Sequence, residues 1–249
     1  MKEFTMKREV LKIKLAETYI RVKQKYNEED AISIRNSLIR ATEEELVLRR
    51  RIQRINNLLR ENRTEENANN IYESNIICII NIEEGSIKGK VTFYGRLLLM
   101  YGAIGSYGDF RSGLSQLKED ITEVSEFVIN RTASNNSIVA NNLERAERRT
   151  GLVGRLSRTL DRIDSLQNQL HGLSNDQIEE ELTRLRQDLA NIIELLSQDE
   201  RAAILSTLPL STRNNLPSPN PEEMEHFRNL YALKPEDLES GDYTFEINQ

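Results

Sequence analysis

Few residues of this 249-residue chain have the type and spacing that chemistry requires. The two histidines, His171 and His226, are far apart in the sequence, and Cys78 is the only cysteine. The sequence contains no His-Glu-x-x-His motif, no calcium-loop spacing and no clear Ser–His–Asp order. A single cysteine permits neither an intrachain disulfide nor a cysteine-based zinc site. The sequence therefore predicts a protein that is not an enzyme, with no catalytic residues, no metal site and no cofactor.

The densest group of cations in the sequence, Arg49–Arg51 with Arg54, could contact an anion. Glu45 lies four residues before the first of these arginines, which allows an ion pair along one helix. No aromatic residues alternate with the arginines to stack on bases. We interpret the group as a solvated or ion-paired helix surface, so nucleic acid is not favoured as a partner. Contact with phosphate groups is the alternative. The possible anion contacts are Arg49, Arg50, Arg51 and Arg54.

A glycine-rich segment, residues 85–113, holds seven of the eleven glycines, and its centre, 91–107, is the most apolar part of the chain. Its glycines do not match the spacing of a phosphate-binding loop. Close packing of neighbouring backbones is the preferred interpretation, and membrane contact is the alternative. The apolar run contains Arg96 and falls short of the roughly 20 residues that cross a bilayer. The residues concerned are Phe93, Gly95, Leu97, Leu98, Leu99, Tyr101, Gly102 and Gly105.

The absence of proline before Pro209 is the clearest guide to the elements. Long helices require such a stretch, because proline removes a helical hydrogen bond and clashes with the preceding turn. The predicted fold class is therefore all-α: an elongated helical bundle or coiled coil with a central Gly-rich apolar segment and an irregular C-terminal tail.

Helix boundaries follow from spacing and capping residues. Steps of four and three predict a first helix that buries Leu11, Leu15, Tyr19, Val22 and Tyr26. Asn27 and the acidic residues after it predict the start of a second helix, which runs to about residue 62. Ser174–Gln177 and Ser197–Glu200 are capping boxes. Residues 75–82 are rich in β-branched side chains, and periodicity leaves a strand and a buried helical turn equally open.

These elements predict four regions. They are an N-terminal helical hairpin (1–84), a Gly-rich connector or helix (85–113), a C-terminal helical or coiled-coil region (114–208), and a proline-containing linker with an acidic tail (209–249). Heptad spacing predicts packing and oligomerisation faces. Their residues are Leu48, Ile52, Ile55, Leu59, Leu117, Ile121, Val124, Leu156, Leu160, Ile163, Leu182, Leu185, Leu189, Ile192 and Leu196.

The charge distribution favours association over catalysis. The chain has a net charge of −6, yet residues 1–63 carry +6 and residues 199–249 carry −6. We predict a structural or interaction protein that forms homo-oligomers through its heptad faces and could contact another protein through its tail. The alternatives are a membrane-active helical protein, pore-forming or membrane-binding, and a virion- or nucleic-acid-associated scaffold. The absence of an apolar signal sequence and the single cysteine predict a cytoplasmic or intracellular location.

Overall fold

The computed structural model describes residues 12–60, 76–83, 86–97, 106–168 and 174–247. Within these ranges the chain forms a five-stranded antiparallel sheet with the strand order β4-β1-β3-β2-β5. The strands are β1 Ile13–Lys25, β2 Ile76–Glu83, β3 Ser86–Gly95, β4 Leu143–Arg149 and β5 Tyr243–Ile247. The helices are α1 Glu28–Arg60, α2 Tyr107–Asn135, α3 Ser137–Asn142, α4 Gly151–Asn168, α5 Asn175–Glu194, α6 Gln198–Thr207, α7 Leu210–Arg213, α8 Pro221–Tyr231 and α9 Pro235–Ser240.

The all-α prediction is wrong, and the first predicted helix shows why. Residues Ile13–Lys25 form β1, a central strand with neighbours on both sides. Strand side chains alternate between two faces, so Thr18 and Ile20 are buried whereas Tyr19 lies on the opposite face. A register irregularity near Leu15 interrupts this alternation. Leu15, Tyr19 and Val22 therefore recur at steps of four and three residues, as the apolar residues of a helix do.

The glycine-rich region also contributes to the sheet. Residues 76–83, which the sequence left open between strand and helix, form β2. Residues 86–95 form β3, which pairs with β1 on one side and β2 on the other. The elongated coiled coil predicted from the sequence is thus replaced by a mixed α/β fold with a sheet at its centre.

The C-terminal tail is also more ordered than predicted. Asn220 caps α8 by accepting hydrogen bonds from the backbone amides of Glu222 and Glu223, at 3.0 and 3.4 Å. Met224 and Phe227 of α8 are buried. The strand β5 then pairs with β2 and closes one edge of the sheet. The predicted irregular tail therefore completes the fold.

Helix capping was predicted correctly at three positions. Helix α1 begins at Glu28, and the side chain of Asn27 accepts a hydrogen bond from the Glu29 amide at 3.0 Å. Both capping boxes are present, with Ser174 before α5 and Ser197 before α6. These signals are local, which is why they could be recognised without knowledge of the tertiary fold.

One face of the sheet is covered by helices, and we call it the helical face. An alanine Cβ built at Gly89 in β3 would lie 2.6 Å from Leu38 of α1 and 3.1 Å from Ile20 of β1. The helix therefore packs directly on the strands at this point. Ala16, Cys78, Ile80, Val91 and Phe93 share this face and belong to the same buried cluster.

Cys78 lies on the helical face and is fully buried. Burial raises the pKa of its thiol, and the thiolate is the reactive form. We expect the native chain to resist iodoacetamide at pH 8, whereas the chain unfolded in urea gains one adduct, as measured by intact mass. Equal rates of modification in the two states would contradict this placement.

Candidate binding surface on the open sheet face

The second face of the sheet, which we call the outer face, is covered at one end only. Ile79 and Tyr94 are buried there. A Cβ at Gly241, just after α9, would lie 2.7 Å from the Ile79 side chain. Burial and the nearby Asp237 of α9 raise the pKa of the Tyr94 hydroxyl. Helix α9 therefore shields this end of β2 and β3, and the part toward β4 stays open.

Three cations lie in one row across the open part, which we call the cationic row. Arg21 of β1 stands directly opposite Lys88 of β3 on one side and Arg145 of β4 on the other. Side chains in directly opposite positions have Cβ atoms roughly 5 Å apart. All three reach solvent, with exposed side-chain fractions of 41% for Arg21, 33% for Lys88 and 64% for Arg145.

Each cation of this row has an acidic neighbour. Arg21 lies 3.1 Å from Glu144, Lys88 lies 3.2 Å from Glu83, and Arg145 contacts Glu147. The pairs of Arg21 with Glu144 and of Lys88 with Glu83 are exposed, and such pairs contribute about 0–1 kcal/mol to stability. A stronger anion can therefore displace Glu144 and Glu83 at little cost.

The next row contains Lys90, Tyr19 and Glu147 in directly opposite positions. Lys90 has no ion-pair partner among the described residues. Its neighbour on β2 is Asn81, whose buried Oδ1 accepts no hydrogen bond from the described part of the chain. This row adds Lys90 to the cations of the same surface, whereas the buried Asn81 oxygen does not reach it.

Arg149 separates the open surface from the covered end. Its guanidinium donates a hydrogen bond of 2.6 Å to the buried carboxylate of Glu17 and lies 5.4 Å from the centroid of the Tyr19 ring. Lys14 contacts the same carboxylate at 3.4 Å. Arg149 and Lys14 thus neutralise the Glu17 carboxylate within the fold, and the Arg149 guanidinium lies over the Tyr19 ring. This geometry favours ionic contact with a ligand over stacking on Tyr19.

The predicted heptad residues with described side chains lie within the fold of the chain itself. The buried residues are Leu117, Ile121, Leu156, Leu160, Ile163, Leu189, Ile192 and Leu196, and Val124, Leu182 and Leu185 pack against them half-buried.

Some of the other predicted site residues are buried in the fold, and the rest lie outside the part of the chain that the structure describes. Phe93 and Leu97 are buried in the core, and the space at Gly95 is limited by Leu15, 2.8 Å from an added Cβ. The side chains of Leu48, Arg49, Arg50, Arg51, Ile52, Arg54, Ile55 and Leu59, and the whole of Leu98, Leu99, Tyr101, Gly102 and Gly105, lie outside the described residues. Their roles in association, anion contact or membrane contact stay predictions.

Sequence reasoning missed the cationic row because its members are dispersed in the chain. Arg21, Lys88 and Arg145 belong to three strands, and only the sheet register brings them together. The alternation of polar and apolar residues around Arg21 was the one available signal, since it is typical of a strand with one solvated face.

Among the described helices, none offers the combination of length and apolar composition that a membrane crossing requires. Comparison of the chain with models of known protein families, with curated protein sequences and with solved structures finds no match.

Proposed function

We propose that this chain is a non-enzymatic interaction protein that binds a phosphate-rich polyanion on the open part of its outer sheet face. The observation that supports the proposal most directly is the cationic row of Lys88, Arg21 and Arg145. Like charges in directly opposite positions destabilise a sheet. Acidic neighbours offset part of this cost in the single chain, and an anionic ligand that replaces them contacts all three cations.

The acidic residues around the row do not prevent such binding. Glu83 and Glu144 pair with the cations at the surface, where their side chains are 48% and 44% exposed, whereas Glu147 is half-buried and also contacts Arg149. Phosphate groups that approach the row replace these contacts and release bound counterions, which makes binding depend strongly on salt. Because the whole chain carries −6, the attraction is confined to this face.

Charge reversal on β3 tests the proposal. We expect a labelled single-stranded oligonucleotide to bind the wild-type chain in 50 mM salt, as measured by fluorescence anisotropy. The double variant Lys88→Glu/Lys90→Glu should bind at least about tenfold more weakly, and its salt dependence should fall by about one unit per lost contact.

Lys118→Glu on α2, which lies outside the sheet, is the control for a single charge reversal and is compared with Lys88→Glu alone. It should bind as the wild type does. The proposal fails if the wild-type chain does not bind the oligonucleotide, or if the β3 and α2 variants weaken binding equally.

A further inference from the structure

Strand β4 forms an edge of the sheet. Among the described residues it pairs with β1 alone, so the backbone groups along its other side have no strand partner. Most edge strands carry charges that repel a second strand. The charges of β4 instead follow a pattern, Leu-Glu-Arg-Ala-Glu-Arg-Arg over residues 143–149. Positions at equal distances on the two sides of Ala146 carry opposite charges, with Glu144 corresponding to Arg148 and Arg145 to Glu147.

We propose that β4 pairs antiparallel with β4 of a second copy of this chain, about a two-fold axis through Ala146. In that register Glu144 stands opposite Arg148 of the partner, and Arg145 stands opposite Glu147 of the partner. Each pair occurs twice because of the symmetry. Four opposite-charge pairs therefore flank two apposed alanines, and opposite charges in such positions stabilise strand pairing.

Other registers place like charges together. Antiparallel pairing about a two-fold axis puts side chains of the same face opposite each other, so the register changes in steps of two residues. Moving the axis to Arg145 places that residue opposite itself. Moving it to Glu147 places Glu147 opposite itself and Arg145 opposite Arg149. A parallel pair in register would match every residue with its own copy. The charges of β4 thus select one register.

The exposure of β4 is compatible with this pairing. Six of its seven residues are exposed, and only Glu147 is half-buried. In the single chain Arg145 contacts Glu147, and Arg148 lies 3.1 Å from Glu126 of α2. Arg149 also contacts Glu147, whose side chain is 19% exposed, and Glu144 lies 3.1 Å from Arg21. Dimer formation exchanges these ionic contacts within the chain for contacts between the two copies and adds backbone hydrogen bonds. A short edge interface of this kind favours association in the micromolar range.

The dimer joins two five-stranded sheets into one of ten strands. A two-fold axis normal to the sheet keeps the two outer faces on the same side. The cationic rows of both copies then lie on one continuous surface. This pairing uses an edge that the heptad pattern did not indicate, and it does not depend on whether the outer face binds a polyanion.

Reciprocal charge changes test the register. Glu147→Arg places arginine opposite Arg145 of the partner, and Arg145→Glu places glutamate opposite Glu147 of the partner. We expect each single variant to weaken the dimer at least tenfold in sedimentation velocity across 1–300 µM, with circular dichroism showing a retained fold. An equimolar mixture of the two variants should form a heterodimer, and the double variant Arg145→Glu/Glu147→Arg should regain the homodimer.

Glu225→Arg on α8 is the matched charge control and should dimerise as the wild type does. The proposal is overturned if the wild-type chain stays monomeric over this range, or if the mixture of variants stays monomeric. It is also overturned if the dimer ignores all β4 variants. In that last case, loss of the dimer on Ile52→Asp would assign association to the heptad face of α1.

Discussion

Replacing Gly151 by alanine is expected to lower the free energy of unfolding by about 3 kcal/mol. Gly151 begins α4, with one residue between it and the end of β4, and has a φ of +50°, in the left-handed region that side chains disfavour. A Cβ at this position would also overlap the carbonyl oxygen of Lys14 and lie 2.8 Å from that of Leu15. Both neighbours are backbone atoms of β1, so no side-chain rotation relieves the overlap.

Urea unfolding followed by circular dichroism measures this loss. Gly108→Ala is the matched control, because its Cβ would meet only the Ser106 hydroxyl at 3.8 Å. Alanine in this first turn of α2 should stabilise the chain by up to about 1 kcal/mol. A Gly151→Ala variant within about 0.5 kcal/mol of the wild type would show that the junction of β1, β4 and α4 is not as tight as described.

Replacing Glu200 by alanine is expected to cost about 3 kcal/mol as well. Glu200 is buried, and its carboxylate accepts hydrogen bonds from the Ser197 backbone amide at 3.0 Å and from the Leu97 backbone amide. Arg96 lies 3.9 Å away and donates a hydrogen bond to the Ser197 hydroxyl. Alanine would leave the buried Leu97 amide without its acceptor and would remove the carboxylate that lies beside the partly buried Arg96 guanidinium.

Thermal and urea unfolding test this expectation. Asp199→Ala is the control, because Asp199 is the preceding residue, also acidic, with a side chain 93% exposed. It should change stability by less than about 1 kcal/mol. Glu200→Gln should lie between the two, since the amide keeps one acceptor and loses the charge. Equal losses for Glu200→Ala and Asp199→Ala would mean that Glu200 acts only as a helix cap.

The helices were predictable where their signals are local. Asn27 and the two serine capping boxes each act within a single turn, and all three begin helices in the structure. The heptad residues Leu156 and Ile192 are on buried helix faces. Heptad spacing shows that a helix has an apolar stripe, but it does not show whether a helix or a sheet covers that stripe. The interpretation as a coiled coil therefore went too far.

The strands and the surface were less predictable, because their information is non-local. Tyr19 and Val22 of β1 fit helical spacing once the register irregularity near Leu15 hides the alternation. The cationic row depends on the pairing of β1 with β3 and with β4. No window of the sequence contains all of its members. The opposite charges of Arg145 and Glu147 are close together in the sequence. They indicate strand pairing only once β4 is known to be an edge strand.

The strand order also governs when the sheet can close during synthesis of the chain. The Ile82 amide near the end of β2 donates a hydrogen bond to the side chain of Asp242, 160 residues later in the chain. Glu17 of β1 accepts a hydrogen bond from Arg149, 132 residues later. Asp242 and Arg149 therefore leave the ribosome long after the strands that they contact. Loops of this length make folding slow. Until β5 emerges, one edge of the apolar strand Ile76–Glu83 is unpaired, and an unpaired edge of this kind favours aggregation of an incomplete chain.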